Sequence, residues 1–451
     1  MKKDKDRFAP YPPMGWNSWD CYMSAVTEAE LLENARYQAE HLLPYGWEYI
    51  TCDIQWYEPT AGTRPGCEYI PFAPLCMDGY GRLIPAENRF PSSTGGKGFA
   101  PIAAELHRLG LKFGIHIMRG IPRQAVYART PVLNSGYTAD QIADPSSICL
   151  WNSDMFGTRK DHPGAQAYYD SLFELYTSWG VDFVKVDDIA NTGEAESGGY
   201  AAAHEIEMIR RAIDRCGRAI VLSLSPGPAS VEKAWHLSQN ANMWRITNDF
   251  WDDWALLKNM FTRCEIWQSH VGPGCWPDCD MLPLGRIGVK FGQPRQTRFT
   301  PDEQKTLLTL WSIFRSPLIL GAELPSLDEA TLRLLTNRDV LRLNRHSFGA
   351  RQIVRDDAHA VWVSQDEDGS RYAALFNLSE KPREVSLELR ELEGEAFACR
   401  GALVRRRTHC PRDTFLCHRT SRRPAVPLHG MLKNRPVFFR QACFPFIHVP
   451  E

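Results

Sequence analysis

The chain has 451 residues, 43% of them hydrophobic and 24% charged, with a formal net charge of −2. That length suits one large α/β domain and a smaller one, and a charge this close to zero gives no reason to expect nucleic acid as a partner. The N-terminus, Met1-Lys2-Lys3-Asp4-Lys5-Asp6-Arg7, is charged and has no apolar stretch of the signal-peptide kind, and no run is long enough to span a membrane. A cytoplasmic enzyme without membrane association is the expectation.

Thirteen cysteines, an odd number, sit mostly singly in apolar or strand-like segments such as Tyr49-Ile50-Thr51-Cys52-Asp53, as buried reduced thiols do. Cys275 and Cys279 flank Trp276-Pro277-Asp278 without a second pair at ligand spacing, so no metal is expected.

In chain order, helical and strand patterns alternate. Glu28 to Leu43 reads as a helix, followed by a strand from Trp47 to Asp53. The helix Pro101 to Leu109 precedes the strand Lys112 to Met118, and the helix Pro163 to Trp179 precedes the strand Val181 to Asp187. His204 to Cys216 is a further helix before the strand Ala219 to Leu224. There follow a short strand around Met243-Trp244-Arg245, the segment Cys264 to His270, a loop from Gly272 to Leu284, the helix Pro301 to Arg315 and the strand Pro317 to Leu320. Such βα units predict a parallel sheet with helical crossovers. Polar or aromatic residues stand at nearly every strand end: Trp16 and Trp19, Asp53, His116, Lys185 and Asp187, Ser223 and Ser225, Arg245, Asp280. A closed (β/α)8 TIM barrel over residues 1–348 accounts for that distribution better than an open sheet does.

From Gly349 the pattern becomes antiparallel, with strands Gln352–Arg355, Ala360–Gln365, Tyr372–Asn377 and Glu384–Leu389 and a turn at Asp366-Glu367-Asp368-Gly369. A small antiparallel β-sandwich domain over 349–398 is expected. Beyond about Cys399 the alternation is lost among Arg405-Arg406-Arg407, Arg422-Arg423 and scattered Cys and His, as a shift of reading frame near Ala398 would produce. A poorly ordered tail is expected over 399–451, and the spacing of its Cys and His fits no zinc template.

The chemistry centres on Val181-Asp182-Phe183-Val184-Lys185-Val186-Asp187. An apolar strand should not end in Lys185, Asp187 and Asp188 without a reason, and alternation puts Lys185 and Asp187 on one face. A lysine beside a carboxylate favours its ionised form, although a structural ion pair would read the same way. Retaining glycoside hydrolysis needs a second carboxylate, as acid and base. Asp249, after Trp244-Arg245-Ile246-Thr247-Asn248, is the candidate; the neighbouring Asp252 and Asp253 read equally well as surface or cap residues. Trp16, Trp19 and Trp56 are candidate platforms for a sugar ring, or core residues, and Asp53 and Asp280 are candidate acceptors for hydroxyl pairs.

With these residues in place the chain resembles the α-galactosidase, or melibiase, family, family 27 of the glycoside hydrolases. The resemblance rests on Pro12-Pro13-Met14-Gly15-Trp16-Asn17-Ser18-Trp19, on Asp78-Gly79-Tyr80-Gly81-Arg82 through Asn88-Arg89-Phe90-Pro91, and on Lys185-Val186-Asp187. Trp244-Arg245 with Asp249, and Trp276-Pro277-Asp278-Cys279-Asp280-Met281-Leu282, complete it. It implies Asp187 as nucleophile, Asp249 as acid/base, Lys185 and Arg245 on the 2- and 3-hydroxyls, Asp53 on the 4-hydroxyl and Trp19 as a wall. It further implies a small glycoside or oligosaccharide substrate and no cofactor; a homo-oligomer stays open.

Four departures sharpen the expectation. Family α-galactosidases carry two aspartates at the end of the second strand, the second on the galactose 6-hydroxyl, and this chain has Asp53-Ile54. Isoleucine cannot bind that hydroxyl, at a cost of about 1–3 kcal/mol. β-L-Arabinopyranose lacks the exocyclic carbon, and members with this isoleucine include β-L-arabinopyranosidases, so that substrate is favoured over an α-D-galactoside. His116 replaces the family's third-strand tyrosine, and Ile189 replaces a cysteine that secreted members use in a disulfide. Ser225 falls where some members place a glutamate for the 2-hydroxyl, which leaves room for an N-acetylgalactosaminide. An inactive carbohydrate-binding barrel is the rival of another class, opposed by the joint presence of both carboxylates and their basic neighbours.

Overall fold

Short apolar strands separated by amphipathic helices dictate the first part of the molecule. The computed structural model describes residues 4–191, 200–225, 227–381, 384–387, 397–401, 407–410, 415–418 and 447–448. Eight strands, β1 (Met14–Asn17), β2 (Tyr49–Cys52), β3 (Lys112–Met118), β4 (Phe183–Asp187), β5 (Val221–Leu224), β6 (Met243–Arg245), β7 (Trp276–Asp278) and β8 (Leu318–Leu320), form one parallel sheet. Its order is β7-β6-β5-β4-β3-β2-β1-β8. Leu282, just past β7, closes the ring by a parallel bridge to Leu320, with Leu282 N donating to Ile319 O at 2.7 Å and Gly321 N to Leu282 O at 3.1 Å. Each strand is followed in the chain by a helix: α1 (Glu28–His41), α2 (Ala100–Arg108), α3 (Pro163–Trp179), α4 (Ala203–Arg215), α5 (Ala234–Asn240), α6 (Trp254–Trp267), α7 (Pro301–Phe314) and α8 (Arg338–His346). This is the (β/α)8 barrel.

Local chemistry sets the element boundaries. α3 starts at Pro163, whose missing N–H costs nothing at a first helical position, behind His162, whose ring accepts from Gly164 N at 3.1 Å. It stops at Gly180, in the left-handed conformation at φ 83°. Gly15 lets β1 approach β2, since a Cβ there would stand 2.3 Å from Tyr49 O. One segment left without a type takes a definite form, and one loop differs from expectation. The segment Cys264 to His270 is the end of α6 and a 3-10 turn, because Leu257, Met260, Phe261, Cys264 and Trp267 repeat on one buried helical face. The loop Gly272 to Leu284 contains β7, disguised by Pro277, a residue that donates no ladder hydrogen bond.

The chain folds into two compact units. The first comprises Met1–Trp251, Pro273–Thr297 and Pro317–Thr331, the second Asp252–Gly272, Arg298–Ser316 and Leu332–Glu451. Within the second, β9 (Ser347–Arg355), β10 (His359–Asp366) and β11 (Arg371–Asn377) form an antiparallel sheet. Phe376 meets Phe261 of α6 at 4.9 Å between ring centroids, and Trp362 meets Phe314 of α7 at 6.2 Å. The β10–β11 turn falls at the expected residues, with Gly369 at φ 86° and Asp366 accepting from Arg342 Nε at 2.8 Å. Most of 399–451, including Arg422, Phe438 and Phe446, lies outside the described residues. Around it, Glu384–Leu387 pairs with Phe415–His418, and Phe397–Gly401 pairs with Arg407–Cys410 and Ile447–His448, all antiparallel. Among the described residues no helix is long and apolar enough to cross a membrane.

Candidate active site

Alternation along the barrel strands turns every second side chain into the ring, and the last of these at the C-terminal ends meet in a cavity of ≈ 290 Å³. It is lined by Asp53 and Ile54 after β2, His116 of β3, Lys185 and Asp187 of β4, Arg245 of β6, Asp249 after it, and Asp280 after β7. Trp19, from the turn after β1, completes the set of expected residues. Ser225 is not part of the lining; its hydroxyl accepts from Arg245 Nη1 at 3.4 Å. Trp16 and Trp56 are fully buried core residues, donating to Ala322 O and His116 O at 2.7 Å each. Asp253 caps α6 through Ala255 N at 2.6 Å.

Asp187 accepts from Asp188 N at 2.7 Å and pairs with His116 Nε2 at 3.1 Å. His116 Nδ1 is enclosed without a partner, and an ionised Asp187 can only accept, so Nε2 is the donor of this pair. Burial opposes ionisation of Asp187, but the hydrogen bond and charge of His116 and the charge of Lys185 outweigh it and hold the carboxyl below the ordinary range. Asp53 accepts from Lys185 Nζ at 3.0 Å, Asn17 Nδ2 at 2.7 Å and Ile54 N at 2.8 Å. Burial again opposes ionisation, and the charges of Lys185 and His116 with these hydrogen bonds prevail, holding Asp53 well below its usual value. Lys185, although buried, is held above its ordinary value by Asp53 and Asp187.

A second charged group sits around Arg245, which pairs with Asp249 at 2.8 Å and Asp280 at 3.3 Å. Asp249 is 62% exposed and Arg245 only 5%, so the carboxylate faces the opening while its partner is fixed in the wall. Asp280 takes φ 77°, in the left-handed region, and accepts from Phe250 N at 2.8 Å; such backbone strain is concentrated at functional sites. Burial and the repulsion of Asp249 raise the Asp280 carboxyl despite Arg245, and burial with the repulsion of Asp280 pushes Asp278 up to about 7. Among the described residues no three His, Cys, Asp or Glu side chains are grouped to hold a metal ion.

The cavity also takes residues that the strand-end pattern passed over: Asp20, Tyr69, Trp151, Phe250, Trp251 and Met281. Trp19, Tyr69 and Trp151 make an aromatic row, with centroid distances of 6.4 and 5.6 Å. Trp151 is 41% exposed at its outer end. Tyr69 and Trp151 come from long irregular segments, where a lone aromatic side chain carries no periodic signal.

Residues 148–346 match the model of the α-galactosidase A type melibiase family. Over 355 residues, 78% of this chain and 72% of the other, it is 25% identical to α-galactosidase 2 of Arabidopsis thaliana. A crystal structure of a family 27 β-L-arabinopyranosidase from Geobacillus stearothermophilus superposes with a TM-score of 0.92 at 50% identity, covering 100% of this chain and 99% of that one. A variant of that enzyme in complex with arabinose gives 0.92 at 49%, with full coverage of both chains. A Bacillus halodurans protein provisionally named an α-N-acetylgalactosaminidase gives 0.82 at 49%, covering 98% and 97%. The ring of parallel strands, the carboxylates at its C-terminal end and this similarity along the whole length lead to one conclusion: the chain belongs to glycoside hydrolase family 27 and is a glycosidase.

Proposed function

We propose that the protein is a retaining exo-glycosidase that removes terminal β-L-arabinopyranosyl groups. The observation that carries the substrate is Ile54, 1% exposed yet part of the cavity lining beside Asp53. A galactose hydroxymethyl group brought against this hydrocarbon would lose its partners, at a cost of about 1–3 kcal/mol, or roughly ten- to a hundredfold. Arabinopyranose presents the same ring hydroxyls and no such group. The 50% identity to a β-L-arabinopyranosidase supports the same reading.

Asp187, held ionised by His116 and Lys185, attacks the anomeric carbon while Asp249 gives its proton to the departing oxygen. Water then attacks the glycosyl–Asp187 ester with Asp249 as base, restoring both groups and the starting anomeric configuration. Asp53 and Lys185, 3.0 Å apart, offer one acceptor and one donor to neighbouring hydroxyls, and Arg245 offers a second donor. Trp19 supplies an apolar face. No cofactor enters this scheme. We place the enzyme in the cytoplasm, a reading supported by the buried thiols of Cys21, Cys52 and Cys149.

Initial rates on nitrophenyl β-L-arabinopyranoside, α-D-galactoside and N-acetyl-α-D-galactosaminide test the proposal. The arabinopyranoside should be preferred at least tenfold in kcat/KM. A preference for the galactoside would overturn the role of Ile54, and turnover of the galactosaminide would move attention to the small Ser225.

A further inference from the structure

One cavity residue has no part in that scheme. Asp20, in the one-turn helix Trp19–Tyr22 after β1, lines the cavity and is 3% exposed. Its Oδ2 is enclosed without a hydrogen-bond partner, and no group among the described residues hydrogen-bonds to the carboxyl. The room it occupies exists because residue 321 is glycine, where a Cβ would stand 2.0 Å from Oδ2. A carboxyl retained for packing alone should have a protein partner, because buried polar groups are almost always paired. The charged groups whose fields reach it are Asp280 after β7, Asp249 after β6, Asp53 after β2 and, with opposite sign, Lys185 on β4. Burial first, and then the repulsion of Asp280, hold this carboxyl far above the ordinary range. A protonated carboxyl keeps one O–H to donate, and a secluded site can hold an acid neutral for that use.

We propose that Asp20 is a further sugar-binding residue, a neutral carboxylic acid that donates a hydrogen bond to a hydroxyl oxygen of the sugar in this cavity. The inference rests on the reading of the cavity as a glycoside site. The full-length protein and its Asp20→Ala and Asp20→Asn variants, assayed across pH on the best nitrophenyl glycoside, test it. Asp20→Ala should raise KM about tenfold or more with a smaller change in kcat. Asp20→Asn, whose amide also donates, should recover most of that loss. The native enzyme should lose kcat/KM on the alkaline side as Asp20 ionises, and Asp20→Asn should not show that loss. A KM for Asp20→Ala within twofold of native, an Asn variant as impaired as the Ala variant, or an unchanged alkaline limb would overturn the proposal. If Asp20→Ala melts below the assay temperature, the pH profile of Asp20→Asn decides by itself. A native protein that turns over none of the glycosides refutes the glycosidase assignment of the substrate, not Asp20. Calorimetric titration with L-arabinose then decides: weaker binding by Asp20→Asn at alkaline than at neutral pH, or no native binding, counts against Asp20, and weaker binding by Asp20→Ala supports it.

Discussion

In the proposed scheme Asp187 serves the reaction and Ile54 the choice of substrate. Asp187 is held ionised by its neighbours rather than by exposure to water, and replacing it by asparagine removes the proposed nucleophile while keeping its size. Asp187→Asn should lower kcat by about a thousandfold or more and leave arabinose binding measurable by calorimetry; unchanged turnover would remove Asp187 from its role. Ile54 touches no reacting atom in this scheme and acts by what it cannot bind. Ile54→Asp should shift the ratio of galactoside to arabinopyranoside kcat/KM upward by roughly ten- to a hundredfold. An unchanged ratio would show that another residue selects the sugar. Lys185 and Asp187 were legible as a pair because alternation along a strand is a local property. Trp16 and Trp19 were not separable by sequence, since both stand at the end of the first strand. One donates into the core at Ala322 and the other lines the cavity, and only the packing tells them apart.

Elements carry the site through buried networks. Glu205 of α4, with a side chain 0% exposed, accepts from Arg119 Nη1 at 3.2 Å, Thr158 Oγ1 at 3.0 Å and Tyr169 OH at 2.8 Å. Arg119 in turn pairs at 2.9 Å with Asp188, the residue after the proposed nucleophile. The end of β4 is thereby tied to α3, α4 and the strand Met155–Thr158. Glu205→Ala takes one of two carboxylate partners from the buried Arg119 guanidinium and should cost about 3–5 kcal/mol in thermal or denaturant unfolding. A loss below about 1 kcal/mol would mean the network is dispensable. In the second unit, α7 begins with a reciprocal cap, Glu303 N to Thr300 Oγ1 at 3.3 Å and Thr300 N to Glu303 Oε2 at 2.8 Å. Thr300→Ala should destabilise by about 0.5–2 kcal/mol, read from the melting of the full chain. This cap is plain in Thr300-Pro301-Asp302-Glu303, whereas the partners of Glu205 come from residues 36 to 86 positions away and leave no local trace.

For the whole molecule the site has a cost that depends on pH. Asp53 and Asp187, held low, stabilise the fold above their unfolded values and lose that contribution as pH falls through their folded values. Asp20, Asp278 and Asp280, held high, act in the opposite sense: they stabilise at acid pH and lose the contribution as pH rises through their folded values, which for Asp278 is about 7. The melting temperature should therefore fall between about pH 5 and about pH 8, a tenfold change in acid strength on folding corresponding to about 1.4 kcal/mol. Asp278→Asn should flatten that fall, and an identical slope in the variant would place the titrating group elsewhere.

By itself the sequence determined the alternation of strand and helix, the antiparallel pattern that follows it, and the kinds of residue at the strand ends, because periodicity, caps and turns are written in near neighbours. The tertiary structure decided the rest. Ring closure joins Leu282 to Leu320, and Asp20 has room only because Gly321, at the far end of the barrel sequence, has no side chain. Which carboxyls are charged depends on burial and on distances between residues far apart in the chain. Asp53, Asp187, Asp278 and Asp280 look alike as letters, and their surroundings make them different acids.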